Sequence, residues 1–281
     1  MALWAAPSGL TARRLKNEFA LPYAVWCLGS DIHTYARLPY VGGRIIDTLR
    51  QSDRMYSDGH QLGQMAQQLS GCRYFFLPSL RKVNLTKPGK ELRQERLLVC
   101  PGRVEKAKGV FDLLDAFRLI SKQHNSWSLY YIGDGSASAA LQKKINHHRL
   151  SDRVRLLGFL PTEEMCRMVS LAAAVVIPTH VDSLPLTFGE AIQLRRPVIA
   201  TDVGDLRYFV EKFNVGMVVP PHSPQALADA LSRFIAQKKD YSKGFDACAA
   251  ELDIDAAAGQ FADWLKNHLS HKSTVREEAV C

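Results

Sequence analysis

Four loops of this 281-residue chain carry side chains suited to gripping an anion or a polyol. The first, Pro101-Gly102-Arg103-Val104-Glu105-Lys106-Ala107-Lys108-Gly109, follows the apolar run Leu97–Cys100 and opens onto a helical stripe. Its glycines let the backbone bend and approach a ligand closely. Arg103 and Lys108 place cationic donors beside a helix N-terminus, whose free N–H groups favour negative charge. A diphosphate suits that loop, and a plain surface turn accounts for it equally well when it is taken alone. The second loop, Gly133-Asp134-Gly135, follows Ser128–Ile132. Ser138 falls where the third glycine of G-x-G-x-x-G would stand, so this is not a dinucleotide fingerprint. A tight turn and a ligand contact both remain open there. The third, Gly158-Phe159-Leu160-Pro161, offers backbone groups and an aromatic face to a base, as many turns would.

The fourth loop is the richest. After Ala173–Ile177 come Pro178-Thr179-His180-Val181-Asp182-Ser183-Leu184-Pro185-Leu186-Thr187-Phe188-Gly189-Glu190-Ala191. Asp182 lies in the loop, and Glu190 lies eight positions on, where the apolar face of the next helix would otherwise continue. A single acid near a helix start serves as a dipole-complementing cap. Two of them at the carboxyl edge of a sheet are better explained as a pair holding hydroxyl groups, because carboxylates only accept.

The elements that must carry these loops are short apolar runs alternating with amphipathic stretches. Strands are predicted at Tyr23–Leu28, Arg54–Ser57 and Tyr74–Leu77, with helices at Gly42–Arg50 and Leu62–Leu69. From Ser79 to Glu95 the sequence turns polar and basic, with Lys87-Pro88-Gly89 as turn chemistry, and a linker is placed at 79–95. Beyond it the alternation is regular: strands Leu97–Cys100, Ser128–Ile132, Val154–Leu157, Ala173–Ile177 and Pro197–Ala200, a short run at Gly216–Val219, and helices Val110–Lys122, Ala137–Asn146, Glu163–Val169, Thr187–Leu194 and Gln225–Ala236. Strands and helices of these lengths imply α/β architecture, a parallel sheet covered on both faces. Ligands of such sheets sit beyond the carboxyl ends of the strands, where the four loops fall.

Taken together the loops resemble the C-terminal domain of the retaining GT-B glycosyltransferases of family 4, which carry a G-R…K-G loop, a G-D-G turn and an E-x7-E motif in this order. Gly102-Arg103, Lys108-Gly109, Gly133-Asp134-Gly135, Gly158-Phe159 and Asp182-x7-Glu190 match it over about half the chain, with Asp182 standing for the usual glutamate. The resemblance implies a GT-B fold of two Rossmann-like parallel-sheet domains. It assigns Arg103 and Lys108 to the donor diphosphate and the leaving nucleotide, and Asp182 to the donor sugar. Glu190 falls to the ribose hydroxyls and the N–H groups of Leu186 and Thr187 to sugar or phosphate. Gly102, Gly133, Asp134, Gly158 and Phe159 complete the donor side. The Asp182 carboxylate stands one methylene further back than a glutamate's, which bears on donor identity.

The resemblance extends to the front of the chain. Leu28-Gly29-Ser30-Asp31-Ile32 is similar to the family's H-G-S/T-D loop, which puts Gly29 and Asp31 on the acceptor side and leucine in place of the histidine. The opening βα units are missing from the match, so the expected division is a partial N-terminal domain (1–78), the linker (79–95), a nucleotide-sugar-binding domain (96–268) and a frayed polar tail (269–281). An exposed sheet edge follows, to be covered by a protein partner or a second copy.

The implied activity is transfer of a sugar from a UDP- or GDP-sugar to a hydroxyl of a polysaccharide, lipid-linked or other glycan acceptor. A non-catalytic nucleotide-sugar-binding or partner subunit is the alternative, and a GT-B sugar-nucleotide epimerase fits less well. No cofactor is expected, and no metal, because none of the Asp, His or Cys spacings matches a ligand set. The six scattered cysteines imply a reduced, cytoplasmic protein. No run approaches a membrane span. The basic stretch Arg81–Arg96, with Lys82, Lys87, Lys90 and Arg93, reads either as a solvated linker or as an attractor for anionic lipid at the inner face of a membrane. It lacks interleaved aromatic residues, so nucleic acid is not an expected partner.

Overall fold

The computed structural model describes residues 1–83, 96–237 and 239–278, with side chains as far as residue 268. Two compact units divide the chain, Met1–Ser79 with Leu252–Cys281, and Leu80–Glu251. In the first unit β1 (Ala2–Leu3), α1 (Gly9–Phe19), β2 (Ala24–Cys27), α2 (Ser30–His33), α3 (Val41–Gln51), β3 (Arg54–Ser57), α4 (His60–Ser70) and β4 (Tyr74–Phe76) follow one another. Their strands form a parallel sheet in the order β1-β2-β3-β4, with Val25 opposite both Ala2 and Met55. Val25, Cys27, Ile32, Ile45, Leu49, Met55 and Leu62 fill the core on one side of it.

The second unit contains β5 (Leu97–Pro101), α5 (Val110–Ile120), β6 (Ser128–Ile132), α6 (Ser138–His147), β7 (Val154–Leu156), α7 (Thr162–Leu171), β8 (Ala174–Ile177), α8 (Leu186–Gln193), β9 (Val198–Thr201), α9 (Leu206–Phe213), β10 (Gly216–Val219), α10 (Pro224–Gln237) and α11 (Phe245–Glu251). The six strands are parallel in the order β10-β9-β8-β5-β6-β7. Counted from β5, that is the doubly wound 3-2-1-4-5-6 arrangement seen from its other edge. The order reverses between β5 and β8, which pair through Leu98 opposite Ala174 and Val99 opposite Val175. A crevice therefore opens outside the carboxyl ends of these two strands. β5, β8 and β9 are buried along their whole length. Helices cover both faces, so these strands read as unbroken apolar runs without polar alternation. Phe117 and Tyr131 are enclosed in this core, and burying such a side chain contributes about 1.5–3 kcal/mol.

The last helix, α12 (Ile254–Glu278), belongs to the first unit. Its Phe261 and Trp264 pack with Phe75 against Ala24, Tyr56 and Leu77 on the sheet face away from the first core. The second unit ends at Glu251, short of the expected boundary at residue 268. The expected polar tail, 269–281, is helical to Glu278, and its last three residues lie outside those described. The predicted strands and helices otherwise fall within a few residues of the observed ones, while β1, α1, α2, α9, α11 and α12 have no counterpart among them. Most of the expected linker, 84–95, lies outside the described residues, Lys87, Lys90 and Arg93 included. Among the described residues no helix is long and apolar enough to cross a membrane.

Candidate functional site

Backbone hydrogen bonds turn three of the predicted loops into one rim at the carboxyl ends of β5, β6 and β7. Gly102 N–H donates to Ile132 O at 2.9 Å, and Gly133 N–H to Gly158 O at 2.8 Å. Gly133 has φ +138°, and a Cβ there would lie 2.0 Å from Gly102 O, so glycine is required by both conformation and space. Asp134 behaves as a turn residue. Its carboxylate accepts from the Ser138 hydroxyl at 2.5 Å and from Gly135 N–H at 2.7 Å, and these bonds, Ser138's first, hold its pKa below the usual value. Of its two expected roles, closing the turn into α6 is the one its side chain performs. The Phe159 ring is 82% exposed and open to a stacking partner.

Across the switch point the first and fourth loops meet. Gly109 has φ +67°, and an added Cβ would strike Pro178 O at 1.8 Å. His180 N–H donates to Ala107 O at 2.9 Å. That contact brings Lys108 Nζ to Asp182 Oδ2 at 2.7 Å, with both side chains mostly enclosed. The expected cation for phosphate and the expected carboxylate for sugar thus hold each other. Arg103 is two-thirds exposed and pairs with Glu105 at 2.7 Å. Helix α8 begins at Leu186, after Pro185 in extended conformation. Its first-turn N–H groups, at Leu186 and Thr187, lack acceptors within the helix. A Cβ added to Gly102 would lie 3.9 Å from Thr187 Cγ2, so this helix start adjoins the Gly102 turn.

Glu190 is 2% exposed on α8, and Arg81 Nε and Nη2 both reach its Oε1 at 2.5 Å. Burial raises the carboxyl's pKa and the Arg81 guanidinium draws it back down. The segment that supplies Arg81 is strapped to the same helix. Gln193 Nε2 donates to Arg81 O at 2.9 Å, Val83 N–H donates to Gln193 Oε1 at 2.8 Å, and the Leu80 side chain rests where a Cβ on Gly189 would be. The sequence assigns Arg81 only to a basic linker. The 109 positions separating it from Glu190 leave no local signal of this pairing.

Asp31, placed on the acceptor side, is fully buried in the first unit. Its carboxylate accepts from Ala5 N–H at 2.9 Å, Gly29 N–H at 3.1 Å and Leu28 N–H at 3.4 Å, while burial, opposed by these bonds, raises its pKa. It ties β1's exit to the β2–α2 turn, where Gly29 takes φ +122°, and is spent on positioning the backbone. The chain also gathers Asp112, His180 and His222, one donor atom of each lying within 4.8 Å of the others. Their separations in sequence match no ligand motif, so the sequence reading, which expects no metal, passes over them.

The chain is 30% identical to an alpha-D-kanosaminyltransferase of Streptomyces kanamyceticus over 57% of its own length and 43% of that protein's. It is 27% identical to the putative teichuronic acid biosynthesis glycosyltransferase TuaC of Bacillus subtilis over 83% of its own length and 60% of TuaC's. It therefore spans about half the length of these curated relatives. Its fold is that of the GT-B glycosyltransferases. A sucrose-phosphate synthase of Thermosynechococcus elongatus superposes with TM-score 0.81 at 20% identity, covering 96% of this chain and 73% of that one. HepE of Anabaena, solved in complex with UDP, superposes with TM-score 0.80 at 16% identity, covering 92% and 76%. A model of the family described as glycosyl transferases group 1 matches residues 84–246, more than half of the chain, which belongs to that family.

Proposed function

We propose that this chain binds a UDP- or GDP-sugar at the β5–β8 switch point and, as a family 4 retaining glycosyltransferase, moves its sugar to a hydroxyl of a glycan or lipid-linked acceptor. The observation that carries this reading is the convergence of the Gly102 turn, Lys108, Asp182 and the α8 N-terminus on one crevice. The donor diphosphate sits on the Gly102 turn and the Leu186 and Thr187 N–H groups, the natural seat for an anion at a helix start. Arg103 and Lys108 neutralise the charge that develops as the nucleotide leaves, and donors fixed before reaction cost no reorganisation at that moment. As phosphate takes over Lys108, Asp182 is released to the sugar hydroxyls. Glu190 exchanges Arg81 for the ribose hydroxyls, and Phe159 offers its face to the base. The departing phosphate takes the acceptor proton, which lets the acceptor attack from the same face and retains the anomeric configuration.

The naming of TuaC for teichuronic acid biosynthesis supports a glycan acceptor. A cytoplasmic setting with peripheral contact at a membrane fits an acceptor of the lipid-linked kind. The test is a thermal-shift panel of nucleoside diphosphates and their sugars, since a ligand of the native state raises Tm. It is followed by transfer assays that read the anomer first formed. UDP or GDP raising Tm, and losing that effect in Arg103→Ala, is the expected result. Binding without turnover on any acceptor would favour the non-catalytic partner subunit. A panel with no effective nucleotide would overturn the donor site.

A further inference from the structure

We propose that Asp112, His180 and His222 form a binding site for a zinc-class divalent cation, separate from the diphosphate-binding groups. His180 Nε2 donates to Asp112 Oδ2 at 2.9 Å, and the His180 and His222 rings lie 3.8 Å apart between centroids at 38°. One donor atom from each of the three residues falls within 4.8 Å of the other two. Tetrahedral zinc holds imidazole nitrogen and carboxylate oxygen at about 2.0–2.2 Å, which sets neighbouring donors about 3.4 Å apart. The His180–Asp112 pair, at 2.9 Å, is slightly shorter than that spacing, and no pair exceeds it by more than about 1.5 Å. The adjustment falls to His222, an exposed side chain on the loop between β10 and α10.

The chemistry of the set matches the cation. Two imidazoles and one carboxylate suit zinc and its neighbours, whereas calcium and magnesium prefer oxygen donors throughout. Three protein ligands leave a fourth position for water. An ion here would also join three separate loop regions: the first turn of α5, just beyond Lys108; the β8–α8 loop, two residues before Asp182; and the β10–α10 loop. It would fix the two loops that bring Lys108 and Asp182 together. That role needs no contact with phosphate.

The test is calorimetric titration of the chelator-treated full chain with Zn2+, repeated with Co2+ under visible absorption. The expected result is one equivalent bound with tetrahedral d–d bands and no near-ultraviolet thiolate charge transfer, which excludes the cysteines as ligands. His222→Asn removes one imidazole while keeping a residue that tolerates the φ +58° of that position. Asp112→Asn keeps a hydrogen-bonding partner for His180 without the charge. Each is expected to weaken binding at least about 10-fold, the lower limit for losing even an outer-shell partner. His148→Ala, which alters the edge-to-face pair His147–His148 elsewhere in the unit, is expected to leave it unchanged. Absence of binding in the parent, equal affinity in His222→Asn, loss in His148→Ala, or a thiolate signature would each overturn the assignment.

Discussion

Replacing Arg81 by alanine strips the charge partner from a carboxylate that the fold has already taken out of water. Glu190 is 2% exposed on its side-chain atoms, and both Arg81 contacts converge on one of its oxygens. Deleting one member of a fully buried pair costs about 3–5 kcal/mol. Arg81 is itself 47% exposed, so solvent reaches part of the vacated space, and the discounted loss is about 2 kcal/mol. For a domain of 150–250 residues that is a Tm lower by about 4–8 °C near neutral pH. Burial already sets the Glu190 pKa above its ordinary 4.5, and Arg81 pulls it back; without the guanidinium it rises further. An acid whose folded pKa exceeds its unfolded one adds stability that is complete below the unfolded pKa and lost as pH rises through the folded pKa. The deficit of Arg81→Ala is therefore largest near neutral pH and narrows as pH falls toward 4.5. Adding Glu190→Gln, which removes the charge, restores most of the loss. The assay is thermal melting of the parent, both single variants and the double variant across that pH range. A deficit that is flat with pH, or no deficit near neutrality, would refute the claim that the buried charge causes it.

Three further outcomes follow from the same geometry. Arg103→Ala leaves Tm within about 1 °C, because Arg103 is exposed and, among the described residues, pairs with its neighbour Glu105, yet it abolishes the nucleotide-induced rise in Tm. Gly109→Ala combines a left-handed φ with a Cβ 1.8 Å from Pro178 O, so a loss of about 3 kcal/mol and a Tm about 10 °C lower are expected in the same melts. In a native thiol titration Cys72, which is partly exposed, reacts early. Cys27, Cys100, Cys166 and Cys248 are buried with thiol pKa values pushed up by burial, to about 12 for Cys100 and Cys248, and stay silent until denaturant is added. Fast reaction at any of these four would show that its surroundings open readily.

The six-stranded sheet is legible from sequence because β5, β8 and β9 are enclosed on both faces and leave uninterrupted apolar runs. Its loops are legible because glycines such as Gly109 and Gly133 stand where backbone meets backbone. What stayed hidden is long-range or sparsely marked. Arg81 meets Glu190, and Asp112 meets His180 and His222, only after the sheet has been assembled. Nothing in the neighbourhood of any one of them announces the others. Helix α1 buries only Gly9 completely, so it carries no strong apolar stripe. Helix α12 anchors itself through Ala257, Phe261 and Trp264, spread through polar and alanine residues, and nothing local tells which unit it serves. An acid held by backbone donors, as Asp31 is, and an acid waiting for a ligand look alike in sequence.

The return of α12 to the first unit has a consequence for the order in which the protein matures on the ribosome. Tyr56 and Leu77 emerge early, but Phe261, whose ring meets Tyr56 edge-on at 5.6 Å, is made roughly 180 positions after Leu77. At about 5–20 residues per second, the aromatic face of the first sheet waits about 10–40 s for its cover. The whole Leu80–Glu251 unit is synthesised within that interval. The second unit is thus positioned to fold first and the first unit to be completed last, with its apolar face in need of shelter meanwhile.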